Sequence, residues 1–297
     1  MFKNAKLYQL INPVFLTETK LENGIFSPCQ PHETLGFGFV PPCPDSKLLI
    51  HSVGDFDMVC LKMENRKLPS KVVKEALEKK IAGFVDRNRL VKKADRHPNK
   101  AERKQIKDDL IFEMLPKVFT TSGLLYGYID HKAGLIVIDT NSANKAELMI
   151  SKLRECLGSL PCVPVYVNYD PCFIITNWLK TLKSPNSSFI EGSEYELKGL
   201  DSTIKFKKTD VNDVETEIES LIDNGSVVTK LAMQWKDKIS FILSADLTIS
   251  RIKFLNIEPT GETPAERFDS DFALMTGEFS EFFNDLFGLF GGLNEAP

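Results

Sequence analysis

The chain has 297 residues, of which 37 are basic, 41 are acidic and 42% are hydrophobic. This length and apolar content are typical of a globular protein that buries a real core in one large domain or in two or three small ones. It contains no apolar stretch of about 18 residues, which excludes a transmembrane helix, and its amino terminus lacks the apolar core of a signal peptide, so we expect a cytoplasmic protein.

The predicted elements begin with strands. Alternation of apolar and polar residues predicts strands over 2–11 and 57–64, and five prolines with two glycines predict a loop over 28–44. None of the six cysteines forms a C-x-x-C pair, and we expect them to stay reduced. Four residues of zinc-binding type match no common zinc motif, and we interpret them as packed or loop residues. They are Cys29, His32, Cys43 and His51.

A basic segment follows at 69–116, and we predict that it forms a helical hairpin. Residues 71–117 carry 14 basic and 8 acidic side chains, although the whole chain is acidic. Residues 97–99 separate a first helix from a second over about 100–115. The apolar face of the first helix comprises Val73, Ala76, Leu77, Ile81, Phe84 and Val91. Cations off this face include Lys79, Arg89, Lys92 and Lys93. This asymmetry favours a polyanion partner, and the alternative is an ordinary solvated surface.

Further strands and helices follow along the chain. We predict a hairpin over 121–130 and 135–139, then a helix over 142–157 that Ser142 caps and Gly158 ends. The later elements are a strand over 163–167, a helix over 173–182, one or two strands within 189–208, a helix over 211–222, and strands over 227–235, 238–243 and 248–255. Antiparallel hairpins with interspersed helices predict an α+β fold with antiparallel sheets.

The last segment, 256–297, is acidic and rich in phenylalanine. It carries nine acidic residues, one basic residue and seven phenylalanines, which favours a core or a subunit contact over contact with phosphate. We predict a helix over about 264–290, with Gly277 as a candidate break. Asp269 and Asp271 are a carboxylate pair of the type that holds Mg²⁺ in nucleases. The alternative is that they only solvate the helix.

No other catalytic pattern occurs, since the chain lacks G-x-x-x-x-G-K-[ST], G-x-S-x-G and H-E-x-x-H. A second basic stretch, TIKFKK, occupies residues 203–208. Strand alternation places Lys205 and Lys207 on one face, where lysines suit contacts with phosphate. The alternative is an exposed edge strand that lysine protects from aggregation.

Eight strings, in the same order along nearly the full length, are similar to the RdgC family of bacterial recombination-associated proteins. They are FKN at 2–4, GFVPP at 38–42, LPSKVVKEALEKKI at 68–81, MLPKVF at 114–119, AGLIVIDT at 133–140, KAELMISKLRECLGSLP at 145–161, VVTKLAMQWKDKISF at 227–241 and AERFDSDFALMTGEF at 265–279.

The resemblance implies a homodimer closed into a ring, with a positively lined hole that takes duplex DNA. It also implies binding of single- and double-stranded DNA without sequence preference, and a role in limiting access of the RecA recombinase. Phe119 matches the family's aromatic at the contact that closes the ring, and Lys117 matches a basic position. Lys208 and Thr209 match a DNA-facing pair, although a longer polar side chain is common in place of Thr209. Residues 72–109 match the family's mobile finger.

We therefore predict a nucleoid-associated, non-enzymatic DNA-binding dimer that uses no cofactor or membrane and affects RecA indirectly through DNA. The predicted parts are 1–68 as the first part of an α+β body, 69–116 as a protruding basic helical finger, 117–255 as the rest of the body, and 256–297 as an acidic helical segment. The alternatives are a metal-dependent nuclease using Asp269 and Asp271, and an adaptor that binds a protein through its Phe-rich end. From its neighbours alone, Phe119 is either tucked under its loop or offered to another surface.

Overall fold

The computed structural model describes residues 1–92, 96–181, 187–200, 202–207, 214–256 and 261–294. Three of the predicted DNA contacts, Lys93, Lys208 and Thr209, lie outside the described residues, as does the side chain of Lys92. The chain divides into two compact units. We call Met1–Gly24, Val40–Cys60 and Leu125–Pro297 the body, and Ile25–Phe39 with Leu61–Leu124 the hairpin unit.

The first sheet has seven strands. They are β1 (Lys6–Leu10), β2 (Leu35–Val40), β3 (Ile50–Val53), β4 (Phe56–Arg66), β5 (Thr120–Asp130), β6 (Leu135–Ile138) and β7 (Cys162–Pro164). Their order is β2-β4-β5-β6-β1-β7, and β3 also pairs with β4. Strands β4 and β5 each contribute residues to both units. Between these two neighbouring strands the chain leaves the sheet at Arg66 and returns at Thr120, where the Thr121 hydroxyl donates to the Asn65 carbonyl at 3.4 Å.

The second sheet lies wholly in the body and has five antiparallel strands. They are β8 (Phe189–Lys198), β9 (Thr203–Lys207), β10 (Val227–Trp235), β11 (Ile239–Ser244) and β12 (Ile249–Phe254). Their order is β12-β11-β10-β8-β9, which makes β9 an edge strand. Buried residues alternate with more exposed ones along β11, so one face of the sheet packs on the core and the other meets solvent. Two antiparallel sheets with helices confirm the predicted α+β class.

The helices are α1 (Glu18–Glu22), α2 (Ser70–Lys92), α3 (Lys100–Met114), α4 (Ala143–Leu157), α5 (Pro171–Thr181), α6 (Glu215–Asp223) and α7 (Pro264–Leu289). The predicted ends of α4 are confirmed. The Ser142 hydroxyl accepts from the Lys145 amide, and Gly158 ends the helix in the left-handed region at φ +80°. Across the described residues, we find no helix with the length and apolar content needed to cross a membrane.

Helix α7 forms the centre of the body's core. Its phenylalanines pack against residues from both sheets: the Phe282 ring lies 4.9 Å from Phe241 and 5.6 Å from Trp235, and the Phe272 ring lies 5.9 Å from Tyr128. Six of the seven predicted phenylalanines are buried, so the core alternative is right and a subunit contact through them is wrong. The helix also continues through Gly277, because burial on both sides of the glycine outweighs its low helix propensity.

The loop predicted over 28–44 is partly wrong, because it contains strand β2. Its glycines serve close packing rather than a turn. A Cβ on Gly36 would lie 2.8 Å from the Cys29 Cα, and one on Gly38 would lie 2.4 Å from the Phe26 Cα. Glycine in a strand often marks such a close approach of backbones, and a composition rich in Pro and Gly hides it. Strand β3 was also missing from the prediction.

The N-terminal cap of α7 allows a stability test. The Thr263 hydroxyl accepts from the Glu266 amide at 3.2 Å, and the Glu266 carboxylate accepts from the Thr263 amide at 3.0 Å. We expect Thr263→Ala to lower the free energy of unfolding by about 1 kcal/mol in urea titrations, since the first turn loses an acceptor. Thr263→Ser keeps the hydroxyl and should restore most of the loss. A full loss in the serine variant would contradict the capping role.

Candidate nucleic-acid interface

Helices α2 and α3 pack side by side in the hairpin unit, held by an apolar seam. Val73, Leu77 and Leu110 are buried in it. Val91, predicted to lie on this face, is instead 75% exposed. The reason lies in α3, which has no apolar residue larger than alanine before Ile106 and so gives Val91 nothing to pack against. The seam leaves a groove on each side of the hairpin, and the two grooves differ in charge.

The first groove, which we call the cationic groove, has a volume of about 640 Å³. Its five helical cations are Lys74, Lys100, Arg103, Lys104 and Lys107. Its aliphatic floor consists of Leu68, Val73, Leu77, Ile111 and Leu115. Among the residues that the structure describes, no carboxylate lines this groove. The groove therefore presents uncompensated positive charge, which is the arrangement that attracts a polyanion.

Arg66 also lines the cationic groove, but it has a structural role. Its guanidinium donates to the Cys29 carbonyl at 3.2 Å and to the Leu115 carbonyl at 3.3 Å. These bonds tie the end of α3 to the segment before β2, both within the hairpin unit. Arg66 thus fixes the base of the hairpin, and the cations with exposed side chains are the five on the helices.

The second groove is electrically mixed. Lys79, Lys80 and Arg87 line it together with Asp109 and Glu113. The Lys80 ammonium lies 2.9 Å from the Glu113 carboxylate. Two other predicted DNA contacts, Arg89 and Lys117, are exposed and line neither groove. The hairpin thus brings together a set of cations other than the predicted one, and Lys79 faces a groove that also holds acids.

The cations of α3 were missed by the sequence analysis, although the sequence carries their signal. Lys100, Arg103, Lys104 and Lys107 follow the i, i+3, i+4, i+7 spacing that puts residues on one face of a helix. The same periodicity in apolar residues predicts the seam between the two helices. Applied to charge, it would have marked α3 as the more one-sided of the two helices.

A second group of cations lies on the exposed face of the five-stranded sheet. Lys205 and Lys207 are exposed on β9, as the alternation of TIKFKK predicts. They line a shallow depression with two more cations, Lys230 and Arg251, and with the carboxylates Glu194 and Glu196. Because β9 is an edge strand, protection of the edge and binding of phosphate are both compatible with this placement.

Phe119 follows the 3₁₀ turn at Leu115–Lys117 and precedes β5. Its side chain is 93% exposed. The interpretation that it tucks under its own loop is therefore wrong. An aromatic ring this exposed gains almost nothing from the fold of its own chain. Its role in closing a ring with another subunit stays a prediction.

The candidate metal ligands are not gathered into one cluster of three or more in the described part of the chain. Asp269 Oδ1 lies 3.3 Å from His51 Nε2, beside the Phe268 ring. His32 stacks on Phe112 with ring centroids 3.9 Å apart, and the Cys29 thiol lies 3.2 Å from the Glu33 carbonyl. Within the described ranges, no group of three or more His, Cys, Asp or Glu side chains is placed to hold an ion. The described residues thus bring no third ligand of these types to Asp269 and Asp271.

The chain is similar to known proteins over almost its whole length. The family model described as "Putative exonuclease, RdgC" matches residues 1–293. A protein of Aeromonas hydrophila is 34% identical over 99% of both chains. One of Actinobacillus pleuropneumoniae is 34% identical over 99% of this chain and 98% of its own, and one of Haemophilus influenzae is 36% identical over 98% of each. All three bear the name "Recombination-associated protein RdgC".

Proposed function

The chain belongs to the RdgC family of recombination-associated proteins, and on this premise we propose that it binds DNA without sequence preference and without cleaving it. In this proposal it encloses DNA as a ring-shaped homodimer. By occupying DNA it limits the access of the RecA recombinase, and it needs no contact with RecA itself. It would then be found on the nucleoid in the cytoplasm.

The cationic groove carries the proposal. Each lysine or arginine that meets a phosphate releases a condensed counterion, and this release drives sequence-independent binding. Lys100 and Lys107 are seven residues apart on α3, a rise of about 10 Å. That length matches about three phosphates of one strand, which follow each other at about 3.4 Å along the duplex axis. The cations of α3 thus extend far enough to follow the phosphate backbone of one DNA strand.

The types of the groove cations support binding without sequence preference. Four of the five are lysines, which act as point charges on flexible stems. Only Arg103 has the planar fork that reads guanine with two hydrogen bonds. Contacts with phosphate position a protein on DNA but carry no sequence information. We therefore expect nearly equal affinity for duplexes of different sequence.

The dependence of affinity on salt tests the proposal. We expect the logarithm of the affinity for a 30-base-pair duplex to fall linearly with the logarithm of salt concentration. The groove cations alone give a slope of about −4 to −5, at about 0.9 for each phosphate neutralised. A second duplex of unrelated sequence and equal length serves as the control. An affinity independent of salt, or a preference of orders of magnitude for one duplex, would contradict the proposal.

A nuclease is the second candidate, because of the description of the family model and the carboxylates Asp269 and Asp271. End-labelled linear DNA incubated with the protein and Mg²⁺ or Mn²⁺ separates the two functions. We expect a mobility shift without shorter products. Cleavage that Asp269→Asn with Asp271→Asn abolishes would establish the nuclease. If neither a shift nor cleavage is seen, both DNA functions are contradicted, and what remains is binding to protein by a surface other than the buried phenylalanines of α7.

A further inference from the structure

One glutamate lies between two lysines on the exposed face of the five-stranded sheet. Glu196 on β8 pairs in register with Lys205 on β9 and with Lys230 on β10. Its Oε2 lies 3.1 Å from the Lys205 ammonium and 3.2 Å from the Lys230 ammonium. The Thr229 hydroxyl donates to its Oε1 at 3.0 Å. One carboxylate is thus fixed by three side chains from two flanking strands.

The three charged side chains, Glu196, Lys205 and Lys230, differ in how much of their surface is exposed. The Glu196 side chain is 17% exposed, whereas those of Lys205 and Lys230 are 57% and 47% exposed. The carboxylate is therefore the most buried of the three charged groups, and the two lysine side chains stay about half exposed to solvent. An arriving phosphate would meet the ammonium groups while the carboxylate still competes for them.

A second carboxylate on the same face lies two residues earlier on β8. Glu194 pairs in register with Lys207, and its carboxylate lies 2.6 Å from the Arg251 guanidinium. The depression lined by these residues therefore contains four cations and two acids. This balance differs from that of the cationic groove, which no described carboxylate lines.

Glu196 is ionised at neutral pH. Burial acts to raise its pKa, but hydrogen bonds from Lys205, Lys230 and Thr229 outweigh burial and hold the pKa below its usual value. Ion pairs between partly exposed groups are weak and screened by salt, so a phosphate can replace the carboxylate without unfolding the sheet. The pairs are thus suited to exchange rather than to permanent neutralisation.

Resting on the proposed DNA-binding function, we propose that Glu196, aided by Glu194, is a built-in competitor of phosphate that limits how tightly the sheet face holds DNA. A phosphate that binds Lys205, Lys230 or Arg251 must compete with the carboxylate already paired with that cation, which lowers the net gain. In the absence of DNA, Glu196 holds Lys205 and Lys230 in ion pairs, and these pairs form again when DNA dissociates. The face thereby supports weak, exchanging contacts, which let a protein slide along DNA.

The test removes one charge and keeps the shape. Glu196→Gln leaves an amide oxygen that accepts from Thr229. We expect its affinity for a 30-base-pair duplex to rise about eightfold at 0.1 M salt, and its salt slope to steepen by about 0.9, since one more counterion is released. The matched control is Asp223→Asn, which removes the same charge from an ion pair with Lys180 on α5. We expect that control to change the affinity less than twofold.

Three results would overturn the inference alone: an unchanged affinity in Glu196→Gln, a weaker one, or an equal gain in Asp223→Asn. A wild type that binds no DNA would overturn the proposed function and this inference together. Glu194→Gln is an independent variant, because it releases Arg251 and leaves the Glu196 row intact. It should shift affinity and slope in the same direction as Glu196→Gln, and a shift in the opposite direction would count against the inference.

Discussion

We expect the triple variant Arg103→Gln, Lys104→Gln, Lys107→Gln to bind duplex DNA about 500-fold more weakly than the wild type at 0.1 M salt. Three phosphates that are no longer neutralised, at about 0.9 each, change the affinity by a factor of about 10 to the power 2.7 at that salt concentration. The salt slope should flatten by about 2.7 for the same reason. The three side chains are exposed on α3, and glutamine is nearly as good a helix former as lysine or arginine. The melting temperature should therefore stay close to that of the wild type.

A control variant with the same charge change separates groove contacts from general electrostatics. Lys20→Gln, Lys132→Gln, Lys145→Gln removes three cations from exposed positions of the body. Its loss of affinity should be below about tenfold if contacts in the groove drive binding, since exposed charges that do not touch a phosphate are screened by salt. Equal losses in both variants would remove the groove from the proposal and leave only net charge.

The second large effect concerns Phe119. If its exposed ring docks in a pocket of another subunit, Phe119→Ala should open that contact, and loss of a buried aromatic anchor typically costs about 2 kcal/mol or more. That is about a 30-fold change in the closure equilibrium. Complexes on closed circular DNA should then dissociate under a salt challenge nearly as fast as complexes on linear DNA. Affinity for short linear duplexes should change little, because the groove cations remain.

The melting temperature distinguishes this role from a role in the core. A core phenylalanine replaced by alanine costs about 3–5 kcal/mol, whereas a ring 93% exposed should cost almost nothing in its own subunit. Phe173→Ala, at an exposed position of the body, is the matched control and should leave the ratio of lifetimes on circular and linear DNA unchanged. A clear drop in the melting temperature of Phe119→Ala with an unchanged ratio would end the ring-closure proposal.

The parts of the fold set by short-range periodicity could be predicted. The meander from β10 to β12, the hairpin of β5 and β6, and the caps of α4 follow from alternation, turns and capping residues within a few positions. Strand β2 could not be predicted, because Gly36 and Gly38 are explained only by backbone segments that pack against them. The acidic helix α7 was recognised as a helix, but its central place in the core depends on contacts with two sheets far away in the sequence.

In the candidate site, too, features set by nearby residues could be predicted and features set by long-range contacts could not. The sequence located the basic segment, and alternation placed Lys205 and Lys207 on one face of a strand. It did not separate the two grooves, since Asp109 and Glu113, the acids that line the groove of Lys79 and Lys80, come from the other helix. Nor did it show Glu196, because that residue and Lys230 are far apart in sequence and meet only through strand pairing. The net charge of a segment could thus be predicted from the sequence. Which acids pair with its cations could not, because those pairs depend on tertiary contacts.

The way the hairpin joins the sheet also has an evolutionary consequence. It leaves at Arg66 and returns at Thr120, at the ends of two neighbouring strands. A segment whose ends are that close can gain or lose whole helical turns without shifting the register of either strand. We expect lineages to vary the reach and charge of α2 and α3 far more freely than the strands that carry them. Exchange of the hairpin between relatives should then transfer its DNA affinity as a module.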